Sequence, residues 1–528
     1  MLLKDGISLR REFAVSRSSR NFHYRRNTSR ATLANLSSAA VGLGGGLTVR
    51  QTRRRIRHDI AFAALLAVSG GAHASTPHES LKNEAVASVN THASELVELA
   101  DQVWGYAETA FRETQSSTLL AEYAARQGFR VTRGIAGMPT AFVAEFGSGA
   151  PVIGIVGEYD ALPGISQKAQ PTKEPLIEGA AGHGCGHNLF GAGSLGAAFA
   201  IKDLIAARRL AGTIRYYGTP AEEDIGGKTY MARDGFFDDV DVMLAWHPAT
   251  NTQADMMSNQ AIVDLAVEFE GRAAHAAYDP WQGRSAADAA EAFTHGINLL
   301  REHVKPTVRM HYVVQHSGDV PNVVPEKARV WLWVRDATTA GVEDVIERVR
   351  QIAAGAALIA DTTQTIAQQG GSYELLINET GARLLDRNLR WLGPVEFSAA
   401  DQAFAKDLQS SAGVEPIGVD GSIDPIAGQE FEGGSSDVGD MSWIVPTLHL
   451  SVTTAPEVPW HAWPAVAASG SPIGHTGMLY AAKALAATMV DLFEDAELRK
   501  AIRDEFATKT RGFTYKAYVP EGPPPIPE

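Results

Sequence analysis

Four short apolar runs, Ala141–Phe146, Val152–Val156, Thr213–Tyr217 and Val242–Trp246, are bounded by Gly and Pro, with a longer small-residue apolar stretch from about Leu189 to Leu210 between the second and third. The short runs have strand length and the long one helix length. Strands alternating with helices predict an α/β fold built on a mostly parallel sheet covered on both faces. In such sheets ligands lie beyond the carboxyl ends of the strands, and that is where the polar residues fall. Glu158-Tyr159-Asp160 follows the Val152 run, Glu222-Glu223-Asp224 follows the Thr213 run and His247 directly follows the Val242 run. Three strand ends thus deliver acids and an imidazole to one rim.

After Gln260 the pattern changes. Val263, Leu265, Val267 and Phe269 alternate with polar residues as in a half-buried strand. A helix over Ser285–His303, strands near Val308–Gln315 and Ala328–Arg335, a helix over Val342–Leu358 and a strand near Thr363–Gln369 complete the order β-α-β-β-α-β. That is a ferredoxin-like α+β unit. The expected organisation is a catalytic domain in two parts, 79–260 and 379–510, around an inserted dimerisation or lid domain at 261–378, with a Pro-rich tail at 511–528. The first part opens with a helical pattern over Ser80–Arg126. The second holds helices over Gly381–Leu392 and Thr476–Phe493, a Gly-rich turn at Gly433–Asp437, a strand near Thr447–Ser451 and His461.

Residues 1–50 are Arg-, Ser- and Gly-rich and lack apolar periodicity, which predicts a disordered basic extension. Residues 51–74 run from an Arg cluster through an apolar stretch to Ala72-His73-Ala74, the order of an export signal cleaved before Ser75. The apolar stretch is too short to span a bilayer. The expected location is periplasmic or secreted, or cytoplasmic if the signal is unused; the Arg pair after Thr52 also fits twin-arginine export, and a mitochondrial presequence is the other reading. Residues 1–58 hold 13 Lys and Arg against 2 Asp and Glu, so the formal charge of −14 becomes −25 over the remainder. An acidic body argues against a nucleic-acid partner. One cysteine excludes an intramolecular disulfide.

That cysteine stands in Gly182-His183-Gly184-Cys185-Gly186-His187-Asn188, where glycine-permitted backbone meets a helix start. The helix start favours a thiolate, and thiolate with imidazole is a metal-ligand pair. A buried Cys acting as a small hydrophobe is the alternative. Glu158-Tyr-Asp-Ala-Leu-Pro163, His183-Gly-Cys-Gly-His187, Thr219-Pro-Ala-Glu-Glu223, Trp246-His247-Pro248, Gly271-Arg-Ala-Ala-His275 and Pro321-Asn-Val-Val-Pro325, in that order, resemble the dinuclear metallopeptidase and aminoacylase superfamily. The likeness is to its amidohydrolase branch, with the p-aminobenzoyl-glutamate, indole-acetyl-amino-acid and hippurate hydrolases, and spans residues 80 to 495.

The resemblance implies two divalent metal ions, zinc or manganese, with Cys185 bridging and His187, Glu223, His247 and His461 completing the ligands. It makes Glu222 the general base, Asp160 an orienting residue behind a ligand, His275 a group reaching the substrate carbonyl, often across a dimer, and Asn322 a binder of substrate carboxylate. Neighbours in an extended segment face opposite sides, so Glu222 and Glu223 are expected to do different jobs. His475 is the rival to His461 as last ligand, His183 reads as loop, Ser436 and Asp437 as a cap or turn, and Glu158 is unassigned. Trp246, Tyr278 and Trp281 offer flat faces to an aromatic acyl group or else pack. The implied activity is hydrolysis of an N-acyl or N-aroyl amino acid by a homodimer, or by a heterodimer with a related subunit, free of any membrane once the signal is removed. A cysteine nucleophile with His187 as base leaves both glutamates unused. A non-catalytic binding homologue is the alternative, and it has no need of Glu222.

Overall fold

The structure is a computed structural model that describes residues 77–526 apart from 225, 257 and 427–432. The expected basic extension and export signal lie outside the described residues. The helical pattern over Ser80–Arg126 resolves into three helices, Pro77–Thr91, Ala93–Tyr106 and Thr114–Arg126, whose apolar faces Leu81, Val89, Leu96, Leu99, Val103 and Leu120 are buried.

The chain then lays down β1 (Arg130–Arg133), β2 (Phe142–Gly147), β3 (Val152–Glu158), β4 (Thr213–Thr219), β5 (Val242–Ala249) and the two-residue β6 (Gln253–Ala254). It leaves for β7 (Ala261–Glu270), β8 (Arg309–His316), β9 (Lys327–Asp336) and β10 (Thr363–Ser372), and returns with β11 (Thr447–Thr453). The first sheet has the order β1-β2-β4-β3-β5-β11-β6. Its centre is parallel, β3 with β4 and β5, and β5 with β11, while β1, β2 and β6 pair antiparallel at the margins. Of the expected strands, β3, β4 and β5 form the core because their side chains are buried nearly throughout, as in β3, where Ile153, Ile155 and Val156 have no exposed surface, while β2 is partly exposed toward its end. The polar β1 and the short β6 have no apolar run to mark them. The helix His187–Ala206 packs on β3, and Gly191 is why it can: a β-carbon there would stand 2.6 Å from the Glu158 carbonyl oxygen.

The second sheet is antiparallel throughout, with the order β10-β7-β9-β8 of a ferredoxin-like unit. Val263, Leu265, Val267 and Phe269 of β7, with Val330, Leu332 and Val334 of β9, bury one face against the helices Ala286–Leu300 and Thr339–Ala360. Ser285 and Thr338 cap those helices by accepting N–H groups from Asp288 and Gly341. The alternate residues of β9, among them Trp333 and Arg335, therefore point out of this core. β8 is an edge strand with exposed Val313 and Val314.

The returning chain forms Glu379–Leu392 and Pro472–Glu494 as expected, and also Ala399–Ala412 and Ala496–Lys509. Near its end Tyr518 is buried and Tyr515 donates to Asp440 Oδ1 (2.6 Å), so the segment leading to the Pro-rich residues lies on the protein.

Candidate metal centre and cleft

The carboxyl ends of β3, β4 and β5, the start of the His187–Ala206 helix and the loop after β11 meet at one end of a cleft of about 870 Å³. Three groups of potential ligand atoms there lie within 4.8 Å of one another: Cys185, His187 and His247; Cys185, Glu223 and His461; and Glu158, His187 and Glu222. Every sequence-expected ligand is thus in one constellation. Cys185 Sγ is 3.4 Å from His247 Nε2, and His461 Nε2 is 3.6 Å from Glu223 Oε2.

Both imidazoles, His187 buried and His247 half-buried, are turned so that one nitrogen is free to bind. His247 Nδ1–H donates to the Pro248 carbonyl (2.7 Å), which leaves the Nε2 lone pair facing the thiol. His187 Nδ1–H donates to Asp160 Oδ1 (2.9 Å), and its Nε2 faces Glu158 Oε2 at 3.1 Å and Glu222 Oε2 at 3.9 Å. A partner on the far nitrogen fixes tautomer and ring direction, as in metal-ligating histidines. Asp160 also accepts the Glu223 N–H through Oδ2 (2.9 Å), so one carboxylate orients two expected ligands.

The electrostatics point the same way. Burial, with the neighbouring charges of Glu158 and Glu223, pushes Glu222 well above the carboxylate range. Burial lifts Glu223 to about 7. Burial and Glu223 push the Cys185 thiol up, opposite to the effect expected from the helix start. Burial would lower His187, but Glu158 and Asp160 more than offset this and hold it high, whereas burial and His187 push His247 down to about 4. Glu223 Oε1 is buried with no hydrogen-bond partner among the described residues. The pocket holds more anionic donors than its burial tolerates; divalent cations bring Glu222, Glu223, Cys185 and His187 back down and keep His247 in the neutral form that burial already favours. Thiolate, imidazole and carboxylate donors fit zinc and also accept manganese.

Glu222 and Glu223 are not in an extended segment. Ala221 has φ 60° and the chain turns at residues 222–224, so both carboxylates reach the site, Glu222 toward His187 and Glu223 toward His461 and Cys185. A left-handed residue replaces the alternation that was expected to separate them. His475 is not part of the group: it lies in the first turn of the Pro472–Glu494 helix and pairs with Asp101 (2.8 Å). His183 is buried and pairs with the Val103 carbonyl (3.0 Å). Ser436 Oγ accepts the Val438 N–H (3.2 Å), while Asp437 binds both Nζ (2.7 Å) and N–H (2.8 Å) of the fully buried Lys228. Lys228 Nζ also holds Glu158 Oε1 at 2.6 Å.

His275 and Asn322 do not line the cleft. They adjoin each other in exposed loops of the second sheet, where the Ala276 N–H donates to the Asn322 carbonyl (3.0 Å). Tyr278 and Trp281 stand in the same region, 80% and 73% exposed, and Trp246 is a core residue. The aromatic faces in the cleft belong to Trp333 and Trp460. Beside Trp333, whose ring it stacks over at 5.1 Å, stands Arg335; its Nε is buried without a hydrogen-bond partner among the described residues. Sequence reasoning passed over Arg335, although the alternation along β9 turns it away from the core.

The model of the family described as Peptidase family M20/M25/M40 matches residues 154–372. The chain is 37% identical over 465 residues to one of the two named subunits of the p-aminobenzoyl-glutamate hydrolase of Escherichia coli (strain K12), a match that covers 81% of this chain and 95% of that protein. It is 28% identical over 446 residues to Xaa-Arg dipeptidase of Mus musculus, across 82% of this chain and 93% of the other. Among solved structures it resembles a dinuclear metal binding peptidase from the M20 family of Bacillus subtilis, with a TM-score of 0.54 at 17% identity, over 77% of this chain and 99% of the other.

Proposed function

The chain belongs to peptidase family M20/M25/M40 and is a metal-dependent amidohydrolase, and from that premise we propose that it hydrolyses the amide bond of N-acyl or N-aroyl amino acids with Glu222 as general base. The observation that carries the reading is the pair of imidazoles, His187 and His247, each with its far nitrogen occupied and its near nitrogen aimed at a group of buried acids and a thiol.

Two cations are the reading for this site, held by Cys185, His187, Glu223, His247 and His461, with zinc or manganese as the ion. When bound they supply a Lewis acid for the amide carbonyl and lower the pKa of water. Glu222 takes the proton of the attacking water and returns it to the leaving amine, a role that contributes about 10²–10⁴-fold. Asp160 keeps His187 and Glu223 in place. Arg335 is a cation with no ion pair among the described residues, in the cleft of an acidic protein, which supports recognition of a free carboxylate on the substrate. Trp333 and Trp460 suit a flat acyl group. The similarity to a protein named as part of a p-aminobenzoyl-glutamate hydrolase supports an aroyl amino acid as substrate class.

Use of His275 and Asn322 on the substrate requires a second chain, because their own chain holds them outside its cleft. The reading is therefore a dimer, with a second copy or with a related subunit. The non-catalytic alternative is not favoured, since a binding protein has no use for an acid such as Glu222, held beside the ligand group and facing His187 Nε2 at 3.9 Å.

The test is a panel of p-aminobenzoyl-glutamate, hippurate and N-acetyl amino acids with their carboxylate-blocked esters. Faster hydrolysis of the free acids is expected. Equal rates on acid and ester contradict carboxylate recognition, and no hydrolysis of any member by metal-loaded protein contradicts the substrate class.

A further inference from the structure

Glu113 lies outside the ligand group, wholly buried just ahead of the Thr114–Arg126 helix, and no cation pairs with it among the described residues. Its Oε1 accepts two backbone N–H groups, from Phe111 (3.0 Å) and from Ala221 (2.9 Å), which is far away in sequence. Both donors are non-glycine residues in the left-handed region, Phe111 at φ 59° and Ala221 at φ 60°. A β-carbon makes that conformation costly, and it persists only where the surroundings over-determine it.

Ala221 immediately precedes Glu222 and Glu223. Its backbone angle sets where both carboxylates point, and without it the segment would continue from β4 with the two acids on opposite sides. The far side of the same turn is pinned by Asp160, through the Glu223 N–H. On the near side Glu113 accepts the Ala221 N–H.

We propose that Glu113 is a positioning residue for the reaction: its carboxylate clamps Ala221 in the left-handed conformation and so aims Glu222 and Glu223 into the site. The role rests on Glu222 as base and Glu223 as ligand. What Glu113 supplies is an acceptor oxygen at a fixed point, and an uncharged oxygen at that point serves as well.

Three variants in the full chain test this, each measured for kcat and KM on the fastest amide of the panel and for metal content after timed chelator exposure. Glu113→Ala is expected to lower kcat by about 10²-fold, the scale of a roughly 1 Å misplacement of a reacting group. KM should change little, and metal should be lost faster because Glu223 is less well held. Glu113→Gln, which keeps an oxygen for both N–H groups, should stay within a few-fold of wild type. Glu113→Ala combined with Ala221→Gly should regain much of the lost kcat, since glycine adopts positive φ freely. Wild-type kcat in Glu113→Ala overturns the proposal, as does a loss in Glu113→Gln equal to that in Glu113→Ala. If Glu113→Ala does not fold, the Gln variant decides alone: more than about 30-fold loss overturns the clamp. Failure of the underlying assignment looks different, because Glu222→Gln would then be active while wild type behaves normally.

Discussion

Cys185 Sγ and His247 Nε2 stand 3.4 Å apart although 62 residues separate them in the chain, the thiol from the loop before a helix and the imidazole from the end of β5. The Pro248 carbonyl holds the imidazole so that its lone pair meets the thiol. Replacing the thiol by a hydroxyl keeps the shape and removes an anionic donor. Cys185→Ser is expected to bind metal more weakly by at least tenfold, the scale seen when a metal-site partner is altered. Metal analysis of dialysed protein checks it; full occupancy in the variant would count against Cys185 as a ligand.

The two candidate last ligands are separated by their surroundings. His461 Nε2 faces Glu223 Oε2 at 3.6 Å, whereas His475 pairs with Asp101. His461→Ala should lower both metal content and turnover, and His475→Ala should leave both near wild type. The reverse pattern would exchange the assignments.

Arg335 gives a prediction about binding alone. Its Nε is buried in the cleft without a partner among the described residues. Truncating one side of a desolvated charge pair costs about 2–5 kcal/mol, so Arg335→Met should raise KM for free-acid substrates by roughly 30-fold or more. Carboxylate-blocked esters should be nearly unaffected. An equal rise on acid and ester would assign Arg335 to packing instead.

The core strands β3, β4 and β5 were legible in the sequence because burial on both faces writes an unbroken apolar run. Glu222, Glu223 and His247 could be set on one rim because they follow strands, whereas Cys185 and His187 stood out as a thiol and imidazole at a helix start and His461 was singled out by the family resemblance alone. The second sheet was legible through the alternation of β7 and β9. The arrangement of Glu222 and Glu223 was not, since a left-handed alanine has no mark of its own in a sequence and the groups that hold the turn, Glu113 on the Ala221 N–H and Asp160 on the Glu223 N–H, lie far off in the chain. Arg335 and Lys228 were missed for a related reason. An isolated cation in sequence carries no sign of whether it ends buried, and Lys228 is buried only because Glu158 and Asp437 close on it from two segments. Tyr278 and Trp281, which by their closeness to His275 in sequence could have been substrate faces or packing residues, are exposed and do not line the cleft.

Acid stability follows from Glu505, which accepts N–H groups from Glu379 (2.7 Å) and Thr380 (2.9 Å) at the start of a helix and pairs with Lys509. Partial burial alone would raise it, but these hydrogen bonds hold it down at about 2. A depressed carboxylate stabilises the fold above its unfolded pKa, near 4.5, and that contribution fades as pH falls from there to about 2. Discounted for solvent screening, it is about 1 kcal/mol. Glu505→Gln should melt roughly 1–2 °C below wild type at pH 7, with the gap narrowing below about pH 4.5 and closing at about pH 2. A gap that is constant with pH would show that the carboxylate's charge is not responsible.

The central claim is that Glu222 is the base of a metal-dependent amide hydrolysis, and one measurement bears on it most directly: kcat for p-aminobenzoyl-glutamate in wild type and Glu222→Gln, with metal content determined on the same samples. The predicted result is two ions per chain in both proteins and a kcat at least about 10²-fold lower in the variant, since a base is lost and no ligand is. A variant that retains its metal and turns over at the wild-type rate would contradict the account.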